Sequence, residues 1–309
     1  MAQKAGSSSL LIHPIFLWDK FMILLTGASG FLGQHIYKTF RPVYPVLGLG
    51  HSGTNCDRKV DLSDLKALET LLNETKPDTI IHSAALRDPD ECLRRPEMAK
   101  ALHIDATRIM AEWCRDNNKR LVLISTDYVF NGKNPPYNEQ SEPDPVNLYG
   151  ETKLAGELAA KVCPDLLIAR QSLQYGTTDR PELSFIHKAI KLLKEGRQLE
   201  FDNVQMRFPS LSSDVAKALL ELEKRHYTGL IHMSNPKGIT RYQMYRAIAV
   251  AFDFDPDMIK DTGKPPQLSA SRPADCRFDL TLYNSLGLPP FHSFEEGLAV
   301  IRDEVKASL

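Results

Sequence analysis

No apolar run in the chain approaches the ~18 residues that a membrane-spanning helix needs. The stretch Leu10 to Trp18 is apolar but contains His13 and Pro14. Only Lys4 precedes it and no small-residue cleavage site follows, so a signal peptide is not expected. An excess of one charge is lacking too. Among 309 residues, 38 Lys and Arg stand against 39 Asp and Glu, a net charge of −1. That balance leaves no basic surplus for nucleic acid and no lysine-rich stripe for a membrane surface. The five cysteines, Cys56, Cys92, Cys114, Cys163 and Cys276, lie far apart, and none forms a C-x-x-C pair. An odd number argues against a disulfide framework, so they read as reduced thiols of a cytoplasmic protein. No His/Cys/Asp/Glu cluster has ligand spacing, and no metal is expected. Repeats are absent, and Ser7-Ser8-Ser9 is the only low-complexity stretch.

What is present is ordinary for a soluble globular protein: 42% hydrophobic and 25% charged residues. The length suits one large domain or two modest ones. Residues 1–20 read as a tail without a legible function. Phe21 to Thr26 is a short apolar run that ends in glycine, the pattern of a buried parallel strand. Gly27, Ala28, Ser29, Gly30, Phe31, Leu32 and Gly33 follow, then a helical stretch from Gln34 to Phe40. Strand, glycine loop and helix form the context of a dinucleotide fingerprint, here with G-x-x-G-x-x-G spacing. Glycines let the backbone approach a pyrophosphate, whose charge sits at the helix N-terminus.

Val43 to Leu49 reads as the second strand. Its end, Gly48-Leu49-Gly50-His51-Ser52, lacks the carboxylate that would hold an adenosine ribose hydroxyl, and Arg58 and Lys59 follow soon after. NADPH is therefore favoured over NADH. Val60-Asp61-Leu62 reads as a third strand whose aspartate reaches the adenine amine, and Ser63 as the N-cap of a helix to Glu74. Thr79 to Ala85 is a fourth strand, and its small end residues Ala84 and Ala85 admit a flat cofactor. A long helix, Pro96 to Asn117, precedes a fifth strand, Arg120 to Ile124, which delivers Ser125-Thr126-Asp127 to the same edge. Four prolines between Asn131 and Asn147 mark a loop.

That loop leads into Tyr149-Gly150-Glu151-Thr152-Lys153. Four residues apart on a helix, Tyr149 and Lys153 share a face. A fixed ammonium beside a phenol favours the phenolate, so the pair can pass a proton to a substrate oxygen. A hydroxyl at Thr126 can hydrogen-bond a carbonyl there. Leu166 to Arg170 is the next strand. The alternation of strand and helix predicts an α/β fold with a doubly wound parallel (Rossmann) sheet over residues 21–170. Residues 171–309 hold helices Leu183 to Leu193, Asp214 to Lys224, Arg241 to Phe252 (capped by Thr240) and Phe294 to Lys306, with a short strand at Ile231-His232-Met233. They are expected to form mainly a smaller substrate-binding lobe, interleaved with the first domain, with substrate in the cleft between.

With these motifs in order, the chain resembles the extended short-chain dehydrogenase/reductases. Within them it is most similar to the dTDP-4-dehydrorhamnose reductase family, from Met22 to about Val300. Gly27, Gly30 and Gly33 carry the resemblance, as do Ser125-Thr126-Asp127-Tyr128-Val129-Phe130 and Tyr149 through Glu157. Ser213-Asp214-Val215-Ala216 and Ser271-Arg272-Pro273 complete it. The resemblance implies reduction of a nucleotide-linked 4-keto-6-deoxy sugar by NADPH. Tyr149 would be the general acid, Lys153 would hold the nicotinamide ribose, and Thr126 would orient the carbonyl. It also implies sugar or phosphate contacts by Arg207 and Arg272, with Arg87 as a further substrate-side candidate, and it leaves a homodimer open. Guanidinium suits that task, being planar, charged and bidentate.

The chain departs from the family in three places. A motif like Arg-Thr-Ser-Trp is replaced by Arg170-Gln171-Ser172-Leu173, which removes an aromatic wall of the sugar pocket. The usual asparagine is replaced at His103 or Asp105. Gln205-Met206-Arg207-Phe208-Pro209 and Asn134-Pro135-Pro136-Tyr137 are instead similar to the regulatory β subunit of methionine adenosyltransferase, which binds the cofactor and serves mainly as a partner. An epimerase or dehydratase is the third reading. Dehydratases of this kind place an Asp-Glu pair after the threonine, whereas Asp127 is followed by Tyr128.

Overall fold

The computed structural model describes residues 21–51 and 56–309. The expected tail, residues 1–20, and the cofactor candidate Ser52 lie outside the described residues.

The first half alternates strand and helix: β1 (Ile23–Thr26), α1 (Phe31–Phe40), β2 (Val46–Gly50), β3 (Arg58–Lys59), α2 (Leu65–Thr75), β4 (Thr79–His82), α3 (Pro89–Arg94), α4 (Pro96–Lys100), α5 (Ala106–Asn117), β5 (Arg120–Thr126), α6 (Leu148–Ala160) and β6 (Leu166–Gln171). The second half is more broken: β7 (Gln174–Tyr175), α7 (Phe185–Lys194), β8 (Leu199–Phe201), β9 (Met206–Arg207), β10 (Ser210–Leu211), α8 (Ser212–Lys224), β11 (Gly229–Met233), β12 (Ile239–Thr240), α9 (Arg241–Ala251), β13 (Ile259–Asp261), α10 (Thr281–Ser285) and α11 (Phe294–Ala307).

Seven strands form one parallel sheet in the order β11-β6-β5-β4-β1-β2-β3. The order reverses between β1 and β4, so the crevice for a ligand opens beyond the carboxyl ends of those strands. Strand β11, from the second half, extends the sheet beside β6. One face buries Ile23, Leu25, Ile124 and Ala169 against Leu32 and Ile36 of α1 and Val215 and Leu219 of α8. The other buries Leu24, Ile80 and Leu123 against α2, α5 and Ala160 of α6. Sheet residues alternate between these two cores, as the strand period of two requires. A third cluster unites Ile186 and Ile190 of α7, Ile248 of α9 and Leu298 and Ile301 of α11.

Several element boundaries differ from the sequence reading. Helix α1 starts at Phe31 rather than Gln34, because Gly30 already takes extended N-cap geometry. Val43-Tyr44-Pro45 precede β2 instead of beginning it. The third strand is Arg58–Lys59, which leaves Asp61 and Leu62 just beyond it. Asp64, not Ser63, caps α2, accepting from the Ala67 amide at 3.0 Å. The Ser63 hydroxyl is spent on Asp61, at 2.7 Å. The fourth strand ends at His82, so Ala84 and Ala85 stand in the loop after it. The long helix is interrupted by a π-helical turn at Ala101–Asp105, and the short α3 precedes it.

Candidate active site

Thr126 ends β5 and Asn147 starts α6, and these two termini meet at the sheet's carboxyl edge. Asn147 accepts from the Gly150 amide at 2.9 Å and donates to the Ser271 carbonyl at 2.8 Å. It thus caps α6 and ties its start to the loop that carries Arg272. Gly150 has no room for a side chain: a Cβ would stand 2.1 Å from the Tyr128 carbonyl oxygen.

The structure places Thr126 close to Tyr149, while Lys153, one helical turn further on, reaches β5 two residues before Thr126. The Thr126 hydroxyl lies near enough to the Tyr149 phenol to favour its ionised form. It also donates to Asp127 Oδ1 at 3.1 Å and accepts from the Tyr128 amide at 3.2 Å. Lys153 is buried, and its Nζ donates to the Ile124 carbonyl at 2.6 Å. Burial lowers its pKa to about 8, against a raising contribution from Glu157. The sequence expectation that Lys153 pulls the phenol down is corrected here. Burial pushes Tyr149 up, the nearby Thr126 hydroxyl pulls it down, and Asp127, Cys92 and Tyr128 push it further up. Burial also raises Asp127, to about 7, against the hydrogen bond from Thr126 and the Arg207 charge. Cys92 donates to the Leu86 carbonyl at 3.1 Å, and burial pushes its thiol up to about 12.

Of the two positions left open by the sequence, His103 faces this group. Its ring meets Tyr149 edge-on at 5.8 Å, whereas Asp105 pairs with Arg108 on the outside. The Leu86 amide donates to His103 Nε2 at 3.0 Å, so the other nitrogen, Nδ1, carries the proton and donates to Thr152 Oγ1 at 2.9 Å. Burial holds this imidazole well below its usual pKa, and it is neutral. Glu157, quoted in the sequence only as part of a motif, is held by Arg170 at 2.9 and 2.7 Å and by the Ser125 hydroxyl. That buried cluster locks β5, β6 and α6 directly behind Lys153.

The glycine loop crosses from β1 to α1. Gly27 has φ +71°, a conformation that L side chains avoid, and a Cβ there would stand 2.8 Å from the Ala84 backbone. A Cβ on Gly33 would be 1.9 Å from the Gly27 carbonyl oxygen. Gly30 supplies no side-chain cap to α1, and the first turn has no acidic residue. The start of α1 therefore suits an anion. Ser29 in this loop and Phe31 and Leu32 in the first turn of α1 are buried. At the far end, His51 is exposed after β2 and lies within electrostatic reach of Asp61. Asp61 is exposed and turned onto Ser63, whose hydrogen bonds hold its carboxyl below the usual range, and Leu62 is buried. Arg58 pairs with Glu74 at 3.4 Å.

The three candidate arginines surround Tyr128 and Tyr149, each with protein partners. Arg87 lies over the Phe31 ring at 5.6 Å and donates to the Leu183 carbonyl at 2.8 Å. Arg207 donates to the carbonyls of Met206 and Pro273 and to Gln205. Arg272 pairs with Asp90 at 2.9 Å and Asp88 at 3.4 Å, clamping α3. Leu173, in the place of the missing tryptophan, packs toward the α7/α9/α11 cluster. Among the described residues there is no group of three His, Cys, Asp or Glu that could hold a metal ion, and no helix long and apolar enough to cross a membrane.

A family model described as the RmlD substrate binding domain matches residues 21–307. The methionine adenosyltransferase 2 subunit beta of Danio rerio is 33% identical over 276 residues, 86% of this chain and 85% of that protein. A probable low-salt glycan biosynthesis reductase of Haloferax volcanii is 33% identical over 247 residues, 77% of this chain and 82% of its own length. Among solved structures, the dTDP-4-dehydrorhamnose reductase of Bacillus anthracis in complex with NADP superposes with a TM-score of 0.81. It is 26% identical, with 92% of this chain and 99% of that one covered.

Proposed function

The chain belongs to the RmlD substrate-binding-domain family, and from that membership we propose that it reduces the carbonyl of a nucleotide-linked 4-keto-6-deoxy sugar at the expense of NADPH. The observation that carries this reading is the contact of Thr126 with Tyr149 beside a buried Lys153, at the edge where α1 offers an uncapped start.

The residues fit a dinucleotide. Gly27, Gly30 and Gly33 clear space for the pyrophosphate, with the α1 start behind it. Asp61 and Leu62 would hold the adenine, His51, Arg58 and Lys59 would favour a 2′-phosphate, and Ala84 and Ala85 would flank the dinucleotide. NADPH when bound supplies the hydride. Tyr149 then gives its proton to the carbonyl oxygen as negative charge develops there. Its raised pKa keeps the phenol protonated until that moment. Thr126 orients the oxygen, and Lys153 holds the ribose and offers positive charge nearby. Substrate lies in the cleft between sheet and lobe, where Arg87, Arg207 and Arg272 would exchange protein carbonyls for phosphate or sugar oxygens.

The test is a panel of dTDP-, GDP- and UDP-linked 4-keto-6-deoxy sugars mixed with NADPH. Loss of nicotinamide absorbance with any of them, abolished in Tyr149→Phe, supports the reading. A second reading, a cofactor-binding regulatory subunit, is favoured by the 33% identity to methionine adenosyltransferase 2 subunit beta and by Leu173 in place of an aromatic wall. It is supported instead if NADPH binds, the whole panel stays unreduced, and the protein co-purifies with a larger enzyme.

A further inference from the structure

We propose that the side-chain amide of Gln171 recognises the carboxamide of the nicotinamide ring, an inference that rests on the cofactor site proposed above. Gln171 is the last residue of β6 and only 9% exposed. Its Oε1 is buried and has no hydrogen-bond partner. A buried carbonyl oxygen left without a donor costs free energy, so such an atom at the carboxyl edge of the sheet calls for a partner that brings an N–H or O–H.

Strand register says where this oxygen faces. Gln171 pairs with Thr126 of β5, so the two side chains leave the sheet on the same side. One residue earlier, Ser125 pairs with Arg170, and both reach Glu157 on the opposite side. Two residues earlier, Ile124 and Ala169 enter the core beneath α1 and α8. Gln171 therefore stands beside Thr126, above the core that carries the glycine loop.

Its neighbours do not satisfy it. The Thr126 hydroxyl already donates to Asp127 and accepts from the Tyr128 amide. Met233, paired with Gln171 on the other flank, has no side-chain donor. In the reaction proposed here the ring carbon that yields hydride must lie close to the carbonyl held by Thr126. The group attached beside that carbon is a primary amide, which offers the donor that Gln171 lacks and can accept in return.

The experiment measures binding, not turnover. Affinities for NADP and for its 3-acetylpyridine analogue, in which a methyl replaces the amide NH2, are compared in the full chain and in Gln171→Leu. One neutral hydrogen bond predicts that the natural protein prefers NADP about three- to tenfold. The leucine variant binds both equally, while its affinity for adenosine 2′,5′-bisphosphate, which fills only the adenine half, is unchanged. Gln171→Met, closer in shape, serves as the second variant should leucine disturb folding. No preference in the natural protein overturns the proposal, as does a preference that survives both substitutions or an effect confined to the KM for sugar. Tight NADP binding without turnover contradicts the reductase reading alone; no binding of NADP contradicts both.

Discussion

At Asp127 a carboxyl with little access to water sits one residue past Thr126, and its behaviour can be separated from catalysis. Its folded pKa of about 7 exceeds the unfolded value of about 3.9. Folding therefore favours the protonated form. The stability this contributes is fully present below pH ~4 and is lost as pH rises through about 7. Asp127→Asn removes that loss, so the variant should gain stability relative to the natural protein between pH ~4 and ~8, by up to a few kcal/mol. Urea unfolding at a series of pH values checks this, and a constant difference would contradict it. Tyr149→Phe should lower turnover by about 10²–10⁴ while leaving NADPH affinity unchanged, measured by titration. Tyr149, Lys153 and Thr126 were legible as residues because helix period and strand order place them. Their protonation was not legible. It depends on burial and on Asp127, Cys92 and Tyr128, which sequence distance conceals. His103 was one of two candidates, and only the inward side of the π turn selects it.

The two elements that frame the site, the glycine loop and the start of α6, make predictions of their own. Gly33→Ala puts a Cβ 1.9 Å from the Gly27 carbonyl oxygen. Because the obstacle is backbone, α1 must shift, and NADPH affinity should fall at least ~10-fold, with a lower Tm. Asn147→Ala removes a helix cap and the link to Ser271. It should cost about 1–2 kcal/mol in urea unfolding and weaken substrate binding through the Arg272 loop. The glycine loop announced itself because its spacing is local. Helix α3 did not: it spans six residues, too few for a periodic pattern, and it is fixed by the distant Arg272. Nor did the Arg170–Glu157–Ser125 cluster, whose members sit on three different elements.

For the molecule as a whole, the end of the sheet away from the site is held by one buried cation. Arg120, 2% exposed, donates to Glu223 at 2.8 Å, to Asp165 at 2.6 Å and to the Tyr227 carbonyl, while Thr79 donates to Glu223 at 2.9 Å. These contacts join β4, β5 and the end of α8, a helix from the second half of the chain. Glu223→Ala leaves the guanidinium without its buried partner and should destabilise the protein by about 3–5 kcal/mol, read by urea unfolding, with no direct effect on cofactor contacts. Catalysis and stability thus occupy opposite edges of one sheet. The most direct test of the site at the carboxyl edge follows the hydride itself. NADPH carrying deuterium at C4 of the nicotinamide is incubated with the keto sugar that the panel selects, and the product is read by mass spectrometry and NMR. Deuterium at the former carbonyl carbon of the sugar, formed at least ~100-fold more slowly with Tyr149→Phe, is the predicted result. A sugar recovered unlabelled and unreduced, with the cofactor bound and intact, would contradict it.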